Sequence, residues 1–246
     1  DGAALDKLID GYRKDYAAYY ERCKRKDSPA IRDANAVIYL VPQVGMLSFA
    51  KDKATARIAA EFYVNAINVM RGASSVSEYV GLPAQEAFNI EYWLLEEAKL
   101  QRMPKPKSLA GRIALVTGGA GGIGSAIASK LLSEGACVVL ADIDKASLDE
   151  VTAGFGKTYG KDNVRGVAME VTSEDAVISA TDQAVLAYGG LDIVVNNAGI
   201  TLAAPVEDTS LELWNKNMAI LGTGYFLVAR EGYRLMQKQK LGGSMI

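Results

Sequence analysis

Apolar residues return at helical spacing through residues 2–25. Leu5, Leu8, Ile9, Tyr12, Tyr16 and Tyr19 stand among Asp6, Lys7, Arg13, Lys14, Asp15, Glu21 and Arg22. The pattern predicts an amphipathic helix whose tyrosines form a half-buried packing face. A continuous apolar run at 36–41 reads as a buried strand ended by Pro42, with residues 45–49 as its antiparallel partner. Lys51 and Asp52 then open a strong amphipathic helix with Ala56, Ile58, Ala59, Phe62, Ala66, Ile67 and Val69 as its apolar stripe, ending near Arg71 and Gly72. Another helix starts after Pro83 and carries Phe88, Ile90, Trp93 and Leu94 towards Leu100.

Pro104 and Pro106, interleaved with Lys105 and Lys107, stiffen and solvate the next stretch. It divides an amino-terminal domain, 1–102, from a carboxy-terminal one, 111–246, through a linker at 103–110. Beyond it strands and helices alternate. Strands are expected at 113–117, 136–141, 164–169 and 191–195. Helices are expected from 125, at 146–155 and at 174–188, with one long or broken helix at 211–236. This alternation implies an α/β fold with a doubly wound parallel sheet and right-handed crossovers.

Composition narrows the chemistry. The 246 residues suffice for one large domain or one and a half ordinary ones. A formal net charge of −2 gives no basic field for nucleic acid and no footprint for an anionic membrane. No signal peptide or long apolar span is visible. Cys23 and Cys137 are far apart and read as buried thiols of a reducing cytoplasm. Zero histidine removes histidine triads and histidine–carboxylate zinc sites, and two distant cysteines cannot form a thiolate zinc cluster. No metal site is expected.

The stretch that organises the chain is 113–124, a β-forming run followed at once by a glycine-rich turn and a helical pattern. Glycines permit a sharp turn and close approach to a ligand. The helix start behind them directs unpaired N–H groups and a positive dipole end to the same point. A dinucleotide pyrophosphate fits that combination. Asp142, eighteen residues past Gly124, ends the second strand of this domain. A carboxylate there accepts ribose hydroxyls and repels a 2′-phosphate, so NAD is favoured over NADP. The plainer alternative is that Asp142 only starts a turn or caps the next helix. A P-loop is excluded because no lysine follows the turn to reach the β- and γ-phosphates.

Thr117, Gly118, Gly122 and Gly124 have the spacing of the short-chain dehydrogenase/reductase family, and Asn196, Asn197, Ala198 and Gly199 resemble its second signature. The resemblance covers 111–246 and implies a Rossmann-like sheet, here incomplete. Gly118, Gly122, Ile123 and Gly124 would wrap the pyrophosphate. Asp142, with Ile143 beside it, would hold the adenosine ribose. Glu170 and Val171 stand where the family has an Asp-Val pair against adenine. Asn197, Ala198 and Gly199 would pass along the cofactor ribose, with Asn196 tying strands together.

The departures concern catalysis. Counting seven residues from Trp214, the family's catalytic Asn is Leu221 here, and Asn217 lies one helical turn earlier. The family's catalytic Ser and Tyr-x-x-x-Lys lie beyond its fifth strand, which would begin at about residue 242. The one such spacing present, Tyr20 and Lys24, precedes the glycine turn by a whole domain, and Ser244 arrives too early to be the catalytic serine. No catalytic residue is assigned.

Residues 37–70 resemble the last strand pair and long helix of class II aldolases, with Val44 where a turn histidine would bind metal. The run 91–107 is similar to the fused rhamnulose-1-phosphate aldolase/short-chain dehydrogenases. The resemblance implies an internal fragment of a bifunctional sugar-catabolic enzyme. It would form a homo-oligomer and act with NAD on a small aldehyde or hydroxy-carbonyl substrate, without nucleic acid or membrane partners. The competing expectation is a non-catalytic nucleotide-binding or scaffold protein that ends at residue 246.

Overall fold

The computed structural model describes every residue except Asp1, the first position of the expected amino-terminal domain, and Leu202. The chain divides into two compact units, Asp1–Lys105 and Pro106–Ile246. The division falls inside the expected linker. Ser108 already donates to the Glu134 carboxylate at 2.8 Å, and the Leu109 amide donates to the Glu134 carbonyl at 3.0 Å. Leu109 packs against the core of the second unit, and this apolar anchor ends the linker early.

The first unit contains α1 (Gly2–Cys23), the hairpin β1 (Ile38–Val41) and β2 (Gly45–Ser48), α2 (Lys53–Val76), α3 (Ala84–Glu91) and α4 (Leu94–Gln101). The tyrosine face of α1 packs on α3, burying Tyr20, Cys23, Phe88 and Tyr92 together. Its hydroxyls are satisfied within the cluster. Tyr16 donates to Glu91 Oε1 at 2.5 Å and shares a 2.6 Å bond with Tyr92, while Tyr19 donates to Glu91 Oε2 at 3.2 Å.

The single helix expected after Pro83 is broken instead, because Trp93 adopts an extended conformation between α3 and α4. Just before the break, the Tyr92 ring stacks on Phe88 at 4.5 Å and its hydroxyl accepts from the Arg32 amide. These contacts hold Tyr92 in the cluster and turn the chain away from the helix axis. Helix α2 starts on an Asp52 cap and continues past Gly72 to Val76. A lone glycine costs only about 1 kcal/mol in a helix, so a strong flanking pattern carries across it.

The tyrosine cluster makes this unit sensitive to alkali. Burial, and then the Glu91 charge, push the Tyr19 phenol from 10.0 up to about 12. Burial and the Glu91 hydrogen bond also raise Tyr16. The unfolded chain releases these protons near 10.0 whereas the folded unit holds that of Tyr19 to about 12, so the stability they contribute falls as pH rises across that window. Tyrosinate absorbance and far-ultraviolet dichroism, followed together, should show cooperative helix loss there. A Tyr16→Phe, Tyr19→Phe double variant should flatten the response. Full helicity of the unaltered protein beyond pH 12 would contradict this account.

The second unit runs β3 (Ile113–Thr117), α5 (Gly122–Ser133), β4 (Cys137–Asp142), α6 (Lys145–Tyr159), β5 (Val164–Ala168), α7 (Glu174–Tyr188), β6 (Ile193–Val195), α8 (Leu211–Met218), α9 (Tyr225–Gln239) and β7 (Ser244–Met245). A π-helical segment, Ala219–Gly224, joins α8 to α9, so the long 211–236 pattern is one interrupted helix. All strand pairs are parallel, in the order β5-β4-β3-β6-β7. Ser244 pairs with Ile193 inside the last strand. The strand order reverses direction between β3 and β6, the switch point where doubly wound sheets bind ligands.

The alternation of side chains explains the two layers. Ala114, Val116, Val138 and Leu140 face one way and bury Ala128, Leu132 and Leu148 of α5 and α6. Leu115, Val139 and Ala141 face the other and bury Val177, Ala180, Leu227 and Val228 of α7 and α9. Gln239 fastens the end of α9 to the sheet by accepting from the Leu191 amide at 2.8 Å and donating to its carbonyl at 2.9 Å.

Candidate functional site

At the switch point, the carboxyl ends of β3, β4 and β6 open on a cavity of about 380 Å³. Its wall includes all eleven residues expected there: Gly118, Gly122, Ile123, Gly124, Asp142, Ile143, Glu170, Val171, Asn197, Ala198 and Gly199. Gly121, Met169, Ile200 and Ile220 complete it. Met169 and Ile200 extend recognised motifs by one residue, a signal available in the sequence. Ile220 arrives from the π-helical segment, which no periodicity announced.

The glycines divide into two kinds. Gly118 has φ +64°, and at Gly124 a Cβ would fall 2.7 Å from Asn197 Nδ2 and 2.8 Å from the Gly118 carbonyl carbon. Gly124 has no room for a side chain, because it packs on the Gly118 carbonyl and the Asn197 side chain, and Gly118 holds a left-handed backbone that side chains rarely adopt. A Cβ at Gly122, by contrast, would meet nothing within 4 Å. Its open side belongs to the cavity, at the first turn of α5, where the helix leaves amide donors unpaired. A pyrophosphate group fits this cradle.

Asp142 is fixed from two sides. Its Oδ2 accepts from the Ala120 amide at 3.0 Å, and its Oδ1 from the Asp144 amide at 3.0 Å. The turn-forming alternative is therefore part of its role, while the cap of α6 is Asp144. Each carboxylate oxygen keeps a further lone pair for a hydroxyl donor. Glu170 also serves its own turn: Oε1 accepts from the Thr172 amide at 3.1 Å and its hydroxyl at 2.9 Å. None of the lining residues is basic.

The strand tie lies one residue later than expected. Asn197, not Asn196, donates through Nδ2 to the carbonyls of Thr117 at 2.9 Å and Gly118 at 3.2 Å. Asn196 pairs by its backbone with Ile246, while its Nδ2 is buried without a protein partner. Consecutive residues of an extended chain project to opposite faces, so only one of the two asparagines reaches Thr117. Thr117, 1% exposed, completes the joint. Its Oγ1 accepts from the Asn197 amide at 3.0 Å and the Ala198 amide at 2.9 Å, and donates to the Val195 carbonyl at 3.3 Å.

Leu221 is half exposed, and a Cβ on Gly199 would lie 3.1 Å from its Cδ2. An aliphatic group thus borders the site where the related family has an amide. Asn217 donates to the Leu213 carbonyl of its own helix at 3.2 Å. In the first unit, Tyr20 is buried with its hydroxyl donated to the Pro29 carbonyl, and Lys24 pairs with Glu21. That spacing is structural. Val44 is exposed in the β1–β2 turn, and among the described residues no cluster of metal-ligating side chains occurs.

Comparison with known proteins divides the chain at the same place. Residues 112–246 match the family model for short chain dehydrogenase, and residues 2–100 that for the aldolase class II second domain. An uncharacterized oxidoreductase, YuxG, of Bacillus subtilis (strain 168) is 41% identical over 238 residues, 97% of this chain and 34% of the relative. The NADP-dependent (R)-specific alcohol dehydrogenase of Lentilactobacillus kefiri is 37% identical over 56% of this chain and 54% of its own. A crystal structure of a short-chain type dehydrogenase/reductase from Mycobacterium marinum superimposes with a TM-score of 0.54 at 34% identity, covering 56% of this chain and 55% of that one. The chain thus spans about a third of the first relative's length and about half of the second's.

Proposed function

The chain belongs to the short-chain dehydrogenase family through residues 112–246, joined to a region matching the second domain of class II aldolases, and on that premise we propose that it supplies the NAD-binding half of an oxidoreductase within a bifunctional aldolase–dehydrogenase. The observation that carries the cofactor choice is Asp142. Its carboxylate is held by two backbone amides at the rim of a cavity with no basic residue. A ribose 2′-hydroxyl can donate to it, whereas a 2′-phosphate would place like charges side by side.

Gly118, Gly122, Ile123 and Gly124 would hold the pyrophosphate and Asn197, Ala198 and Gly199 the second ribose. NAD, when bound, supplies a two-electron hydride acceptor. The turns after β3 and β6 would flank it, and Ile200, Ile220 and Leu221 would form an aliphatic border beside it.

The fusion suggests a sugar-phosphate aldolase of the rhamnulose-1-phosphate type whose aldehyde product, or a related hydroxy-carbonyl compound such as lactaldehyde, is the dehydrogenase substrate. The reading treats these 246 residues as an internal part of that enzyme, able to bind cofactor but not to turn over alone. It also makes the protein a cytoplasmic homo-oligomer. Its two cysteines are buried free thiols.

Calorimetric titration with NAD and NADP tests this. NAD should bind at least about tenfold more tightly, a difference of about 1.4 kcal/mol. Asp142→Ala should erase the preference, weakening NAD and relieving the repulsion of NADP. Equal affinities in the unaltered protein, or an unchanged preference in the variant, would sink the NAD assignment. A substantial dehydrogenase rate from the 246-residue chain would contradict the partial-enzyme reading.

A further inference from the structure

Helix α2 carries more apolar surface than its neighbours use. At 100° per residue, Ala56, Ala59, Tyr63, Ile67 and Met70 form one face, while Ile58, Phe62, Ala66, Val69 and Val76 form a second, roughly a third of a turn away. Together they span roughly 180° of the circumference, well beyond the stripe of a helix that packs on one layer. The remaining arc carries Arg57, Glu61, Asn65, Asn68 and Arg71, with Val64 among them. The first face is partly covered, consistent with packing on β1 and β2. The second is open: Phe62 is 72%, Val69 58% and Val76 85% exposed, and no residue of this 24-residue helix is fully buried.

The hairpin beneath α2 has the same excess. Tyr39 and Leu47 project to one side, Ile38, Leu40 and Met46 to the other, so both faces are apolar. Among the described residues β1 and β2 pair only with each other. An isolated two-stranded ribbon is marginal in water, and strands apolar on both faces belong inside a layered structure. The surface is thus that of an interior element.

Two observations select what covers it. The matching family model is that of a second domain. The Bacillus relative, aligned over 97% of this chain, is about three times as long, because the aligned part is 34% of it. We propose that the open face of α2, centred on Phe62, Val69 and Val76, is an internal interface covered by the remaining aldolase polypeptide of the same protein. This rests on the bifunctional reading above. It adds that the aldolase region becomes a complete packed domain only when α2 is sandwiched between the hairpin and that polypeptide.

The test uses the native protein from its own cells, without substitutions. Its intact mass is measured, and hydroxyl-radical footprinting compares Phe62 in the folded protein with Phe62 in the same protein unfolded in guanidinium. The expected result is a mass several-fold above 26.2 kDa and at least tenfold protection of Phe62 that persists on dilution. A large mass with Phe62 modified as readily as an open side chain overturns this inference and leaves the bifunctional reading standing. Protection that disappears on dilution makes the occupant a second copy, and also overturns it. A native mass near 26.2 kDa removes the bifunctional reading and the inference together.

Discussion

Gly124→Ala is expected to abolish the proposed dinucleotide binding and to lower the unfolding temperature of the second unit by on the order of 10 °C. The added methyl would lie 2.7 Å from Asn197 Nδ2 and 2.8 Å from the Gly118 carbonyl carbon, and closer still to that carbonyl's oxygen. Neither group can retreat. Gly118 already occupies a left-handed conformation at φ +64°, and Asn197 is bonded to the Thr117 and Gly118 carbonyls. Overpacking at a rigid joint costs about 3 kcal/mol. Gly122→Ala is the informative control, since its methyl meets no protein atom within 4 Å. It should unfold as the unaltered protein does while binding NAD about tenfold more weakly, because its methyl occupies ligand space. Calorimetric melts and NAD titrations of both variants decide the matter. A Gly124→Ala protein that melts normally would show that the close approach at this turn does not constrain it.

The second large effect is expected at Thr117. Replacing it with valine preserves shape and removes only the hydroxyl, which accepts from two half-buried amides and donates to one carbonyl. The Ala198 amide would lose its acceptor at a cost of about 1–3 kcal/mol, whereas the Asn197 amide keeps the Val195 carbonyl at 3.1 Å, so Thr117→Val should destabilise the unit by about 2 kcal/mol. Thr117→Ser, which restores the oxygen, should recover most of the loss. Denaturant unfolding measures the cost, and hydrogen exchange should localise it as faster exchange at Ala198. Unchanged exchange at that amide would mean that the hydroxyl does not hold the β6 turn against the glycine turn. The same lesion should weaken NAD binding, because the cavity lies between these two turns.

Both predictions concern a joint that was only half legible in the sequence. The glycine spacing at 118–124, Asp142 at a strand end and the 196–199 signature are local patterns, and the fold places all of them around one cavity. Which asparagine makes the tie was not legible, since it depends on which face of β6 meets Thr117. Asp142 shows a similar limit. Its position suggested either a ribose ligand or a turn former, and the bonds to Ala120 and Asp144 give it the turn role without using up its acceptors. The π-helical segment that brings Ile220 and Leu221 to the site has no periodicity of its own, because a single extra residue in a helical turn leaves the flanking patterns intact.

The sequence by itself determined the α/β alternation, a division within the Pro-Lys stretch, the parallel sheet of the second unit and eleven of the fifteen residues that line the cavity. Each follows from short-range regularities: a period of 2 or 3.6, glycine where backbone must turn, proline where it must stiffen. The tertiary structure alone decided where the long patterns break. Tyr92 ends α3 because its ring and hydroxyl are held by α1 and Arg32. Leu109 shortens the linker because it finds the core of the second unit. It also split the apolar pattern of α2 into one face that is packed and one that is open. Periodicity records how many apolar residues a helix carries, but only packing decides which of them a neighbour covers.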